Sequence, residues 1–220
     1  MSVPWNGYPQ MRPTDTFRFK CQCCGNCCRH VAQSVMIESL DLARIAEHLR
    51  LEHGEVVSRY MEVATVAWGT PILLTKTTGP DDACVFLQDN KCGIHAFKPR
   101  ACRTFPLCVG PDDALTDFLI CRVSNEEQCS HGRWYRAEEW LNATFGTVDR
   151  LFIKIDYRLL RECGQIMQRI PRDRENAVLL QMLHWRFLQY DIDQSFITQY
   201  VDNMQMLKTG LEKLTTRKDG

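Results

Sequence analysis

Between Phe19 and Arg29 the chain reads Phe-Lys-Cys-Gln-Cys-Cys-Gly-Asn-Cys-Cys-Arg. Cys21, Cys24, Cys27 and Cys28 stand at intervals of three, three and one, with Cys23 as an extra thiol. Two-residue gaps let a tight turn aim successive thiolates at one point, and Gly25 frees the backbone for that turn. Such spacing serves tetrahedral zinc or the corner irons of a cubane. Side chains of neighbouring residues diverge, so Cys27 and Cys28 either serve different metals or one of them stands outside the ligand set as a supporting or redox-active thiol. Disulfides among these thiols are the alternative, disfavoured in a reducing compartment.

A second group follows: Cys84, Cys92, Cys102 and Cys108, then Cys121 and Cys129. Cys84 and Cys92 flank a hairpin turning at Asp89-Asn90. With a loop of the four residues 88–91, Cys92 faces Leu87 and Cys84 faces His95, on opposite sides of the ribbon; shared ligation then requires an odd register. His95, His30 and His131 are weaker ligand candidates. Lys98 and Arg103, and Arg29 beside the first group, are candidates to offset thiolate charge, because a four-thiolate site is strongly anionic. Cys163 stands alone and reads as a small core hydrophobe. All-sulfur donors suit zinc or iron–sulfur and disfavour metals that prefer oxygen.

The pattern resembles the zinc- or iron-chelating CxxCxxCC family, also called YkgJ-like. Its first motif is matched by Phe19, Cys21, Cys24, Gly25, Cys27 and Cys28. Its second is matched by Cys84, Phe86, Leu87, Cys92, Lys98, Pro99, Cys102, Arg103, Phe105 and Pro106. The resemblance implies a bound metal over about residues 17–130. Cys23 and Cys108 are additions to the pattern, and His95 stands where the family has an aromatic residue. Longer relatives are similar to flagellin lysine N-methylases, which implies S-adenosylmethionine chemistry as an alternative. The chain has no glycine-rich strand-to-helix turn followed by an acidic residue to mark a methyl-donor pocket.

The elements that must position these residues follow from patterning. The 220 residues carry 27 basic and 27 acidic side chains, so no broad positive field points to nucleic acid or an anionic membrane. No apolar run is long enough for a bilayer span or an export signal, which places the thiols in the cytoplasm. Eleven of the twelve cysteines lie between Cys21 and Cys129. The fold class expected is α+β: a small irregular cysteine-rich region with short strands and a hairpin over residues 17–132, then a mainly helical part over 133–220. Strands are expected at 35–37 and 72–75. Helices are expected from an N-cap at Ser39 to Arg50, from Glu55 to Val66, and briefly after Pro99, with Pro106 as the stop. Three or four helices follow Arg136, with apolar stripes for a core or for a protein partner.

The function expected is metal binding, by a 4Fe-4S cluster or by zinc, through Cys21, Cys24, Cys27, Cys28, Cys84, Cys92, Cys102, Cys108, Cys121 and Cys129, for electron transfer or as a module in protein modification. Cys21, Cys24 and Cys27 have the three-close, one-remote logic of a cubane whose fourth thiolate comes from the second group. A thioredoxin-like site is disfavoured, because it needs its CxxC at a helix start and the residues after Cys28 look strand-like.

Overall fold

A computed structural model describes residues 10–109, 118–120 and 132–216. Cys121, Cys129 and His131 therefore lie outside the described residues. Short antiparallel strands fill the first half and helices the second, the α+β arrangement expected.

Helix α1 (Ser39–Leu49) buries Leu42, Ile45 and Ala46 on one face. Its N-cap is Glu38 and not Ser39: the Glu38 and Asp41 side chains form a reciprocal capping box, while Ser39 is buried in the first turn. Helix α2 (His53–Tyr60) is shorter than its periodicity suggests. From Met61 to Val66 the chain is a strand. The β-branched residues Val63, Thr65 and Val66 lose side-chain freedom in a helix and pair well in a sheet, and Thr70–Thr75 offers a partner for all six positions. Met36–Ile37 pairs with Leu73–Leu74 on the other side of that strand. Pro71, which cannot donate to a ladder, lies beyond the reach of this short third strand.

Helix α3 (Arg100–Thr104) follows Pro99 as expected and ends before Pro106. The second half consists of α4 (Ala137–Thr144), α5 (Thr147–Met167), α6 (Glu175–Met182, continuing as a π-helical turn over Leu183–Leu188) and α7 (Phe196–Thr215).

Two apolar cores organise the molecule. One joins Phe17, Phe19 and Leu107 to Leu141, Phe152, Met204 and Leu207 of the helices. Cys163 is fully buried in it, as a small hydrophobe. Thr16–Phe19, just before the first cysteine motif, pairs with Arg133–Arg136. Phe19 then meets Phe105 of the second motif edge-on at 5.6 Å and Trp140 of α4 at 5.5 Å. The other core contains Ile37, Leu42, Ile45, Val56, Leu73, Phe86 and Ile94, with Phe187 reaching in from the helical half. Cys84, Cys92 and Cys102 pack against this second core, which gives the cysteines a fixed floor.

Candidate metal centre

The first motif turns twice through left-handed backbone, at Cys23 (φ 52°) and at Gly25 (φ 76°), before a 3-10 turn over Asn26–Cys28. Gly25 lies against the hairpin of the second motif. A Cβ there would sit 2.9 Å from the Asn90 carbonyl oxygen and 3.1 Å from Leu87 Cδ1. The two motifs thus meet through a glycine, and Arg29 secures the seam. Its guanidinium donates to Asp81 at 2.9 Å and to Asn90 at 2.6 Å. Arg29 therefore clamps loops together through oxygen partners. We expect Gly25→Ala to lower the thermal midpoint by about 5 °C, since left-handed backbone alone costs about 1–2 kcal/mol for a residue with a Cβ. An unchanged midpoint in a thermal melt would show that the seam does not matter.

The hairpin pairs Leu87 with Cys92 and Gln88 with Lys91. Asp89 and Asn90, both at positive φ, form its two-residue turn. This is the even register. Cys84 does not lie on the same ribbon, however: it pairs with Thr77 on a separate two-residue ladder, and the Val85 N–H goes to the Lys76 carbonyl. The parity rule stops applying at Val85, so Cys84 and Cys92 come close without an odd register. Their charges interact directly.

Among the second-motif thiols, each of Cys84, Cys92 and Cys102 acts electrostatically on the other two, and Cys27 of the first motif acts on all three. Residues 57 to 75 positions apart in sequence therefore form a single tetrad of sulfurs. Cys28 adjoins it, with its sulfur 3.9 Å from that of Cys27, and the charges of Cys92 and Cys102 reach it as well. Burial, and then mutual repulsion, pushes the Cys102 thiol up; burial does the same at Cys84 and Cys92. Cys27 alone goes down, to about 6, because Cys28 donates to it and Lys98 lies nearby. Lys98 is placed where a thiolate counter-charge belongs, since it favours the charged forms of Cys23, Cys27 and Cys92.

The Cys21 and Cys23 sulfurs lie 4.0 Å from each other, with Cys24 close enough for its charge to act on Cys23. The ligand atoms of Cys21, Cys23 and His95 all lie within 4.8 Å of one another, and all three residues are exposed. Cys108 lies on the strand Leu107–Val109, paired with Phe118–Ile120.

Arg103 points at carboxylates. Its guanidinium donates to Asp149 at 2.8 Å and approaches Asp41 at 3.6 Å. Asp41 in turn accepts from the Arg100 backbone N–H, and the Arg100 side chain pairs with Glu38 at 2.5 Å. Arg44 completes the network on Asp149 at 2.6 Å. These bonds tie α3, which carries Cys102, to the start of α1 and to α5. Nothing local in the sequence announces the network, because Asp149 lies 46 residues beyond Arg103.

A family model described as "Putative zinc- or iron-chelating domain", CxxCxxCC, matches residues 20–132, just over half of the chain. The chain belongs to this family. The cysteines of both motifs of the CxxCxxCC domain fall inside the match, those of the tetrad among them. No solved structure matches the chain. Metal chelation is thus the coarse function, and the cysteine cluster around Cys21 and Cys23 is in keeping with it. The donor chemistry fits: soft thiolates with one cationic neighbour suit zinc or iron–sulfur. No helix of the described residues is long and apolar enough to cross a membrane.

Proposed function

We propose that Cys27, Cys84, Cys92 and Cys102 hold an iron–sulfur cluster, with 4Fe-4S as the type. What supports this reading is the convergence of thiols from two distant motifs: Cys84, Cys92 and Cys102 pack against one core, and the charge of Cys27 reaches all three. All-sulfur ligation suits a cluster, whose cubane places each ligand sulfur on a different iron and so draws on thiols from separate segments.

In this reading each residue has a defined task. The four thiols lose their protons to solvent as the metal binds, and its positive charge offsets both the burial that raises Cys84, Cys92 and Cys102 and the repulsion among the thiolates. Lys98 offsets part of the remaining negative charge. Cys28 donates to the Cys27 sulfur and supports it without ligating. Arg103 acts as a positioning residue, fixing α3 and with it Cys102. The cluster, when bound, supplies one-electron redox chemistry or a structural tie; electron transfer or service as a module in protein modification are the functions compatible with it.

Anaerobic isolation, followed by assays for iron, acid-labile sulfide and zinc and by an absorption spectrum, tests the proposal. The expected result is iron and sulfide in matched amounts with visible sulfur-to-iron charge transfer. Colourless protein with stoichiometric zinc at the tetrad would replace the cluster by zinc.

A further inference from the structure

The outer sulfurs are the feature that the tetrad leaves unexplained. We propose that Cys21, Cys23 and His95 form a second, separate site for an exchangeable zinc ion. This assignment does not depend on whether the tetrad holds iron or zinc.

Three observations carry it. The three donor atoms fall within 4.8 Å of one another, and the Cys21–Cys23 sulfur separation of 4.0 Å is close to the roughly 3.8 Å edge of a zinc tetrahedron. Cys23 reaches this position through left-handed backbone at φ 52°, which is costly for a residue with a Cβ and tends to persist where a site requires it. His95 is brought in from the other motif on a 3-10 turn, His95–Phe97, and that turn is pinned by Phe97 stacking on the His48 ring at 4.1 Å.

The donor chemistry selects the ion. Two thiolates and a neutral imidazole suit a borderline-soft divalent metal and disfavour calcium or magnesium. On binding, Cys21 and Cys23 each release a proton to solvent, and their two negative charges balance a divalent ion. Among the described residues three donors come together, and all three are exposed. With water or an external ligand in the fourth tetrahedral position, an ion held this way exchanges with solvent.

The test uses the full chain, isolated anaerobically and treated briefly with a mild chelator, with Co2+ and then Zn2+ as probes. Wild type is expected to take up one Co2+ beyond the metal retained in the tetrad, with the intense bands of tetrahedral thiolate ligation, and to lose it to Zn2+. Cys23→Ser and His95→Ala are each expected to weaken Co2+ binding by about 100-fold or more. Both should keep the metal content and absorption of the tetrad and the far-ultraviolet circular dichroism of wild type. Co2+ binding as tight in both variants as in wild type would overturn the proposal. So would loss of the tetrad's metal in either variant, which would make the two groups one site.

Discussion

Cys102→Ser, isolated anaerobically, is expected to lose essentially all of the tetrad's metal and with it the order of the segment around the hairpin. Serine leaves a poor ligand in place of a sulfur that packs against the second core and faces the other three thiols. Binding of a structural metal is worth about 10 kcal/mol or more in small thiolate sites. That is comparable to the whole net stability of a typical domain. Removing a ligand should therefore show as more than a local softening. Hydrogen exchange is expected to lose protection in Leu87–Cys92 and Arg100–Thr104 first. The helices α5 and α7 should keep theirs, because their contacts lie in the other core. Cys163→Ala provides the control: the residue is fully buried in that other core, so the variant should keep its metal. A Cys102→Ser protein with wild-type metal content would remove Cys102 from the ligand set.

Asp149→Ala is expected to destabilise the fold by about 3–5 kcal/mol, since it strands two partly buried guanidiniums, Arg103 and Arg44, without their shared carboxylate. It also removes the cap that Asp149 places on the Gly146 N–H at the start of α5. The same carboxylate gives the stability a pH signature. Burial alone would push its pKa up, but donation from Arg103 and Arg44, together with their charges, outweighs burial and holds it at about 2, below the ordinary 3.8. A depressed carboxyl contributes stability that is present above the unfolded value and lost as pH falls through the folded one. Wild type should therefore lose stability between about pH 4 and pH 2, and Asp149→Asn should show a flatter slope there in denaturant titrations. Metal retention should weaken in these variants without vanishing, because α3 loosens while all four sulfurs remain. Equal slopes in wild type and Asp149→Asn would mean that the network does not hold its charge as described.

How much of this was readable from the sequence depends on how local each signal was. The cysteine motifs, the Asp89-Asn90 turn, helix α1 and the short helix after Pro99 all rest on residues a few positions apart, and each is found where the pattern put it. The strand Met61–Val66 was hidden because helical periodicity continued past Tyr60. Its partner, Thr70–Thr75, decided the matter. The pairing of Thr16–Phe19 with Arg133–Arg136 joins segments more than 110 residues apart and leaves no local trace.

The site divides in the same way. That the thiols converge was legible from their number and spacing. Which thiol joins which group was not, since it depends on left-handed turns at Cys23 and Gly25 and on the break in the ribbon at Val85. Lys98 was singled out because it stands between motif residues, and its charge reaches Cys23, Cys27 and Cys92. For Arg103 and Arg29 the sequence offered charge without direction, and their partners, Asp149 and Asp81, come from remote segments. Cys23 and His95, two of the three residues at which the chain departs from its family's pattern, turn out to lie together.

X-ray absorption at the iron and zinc edges of anaerobically isolated protein tests the central claim most directly. The account predicts an iron site surrounded by sulfur, with neighbouring iron atoms in the next shell, and a signal that disappears with Cys102→Ser. Iron ligated by oxygen and nitrogen alone, or folded protein with neither metal bound to sulfur, would contradict it.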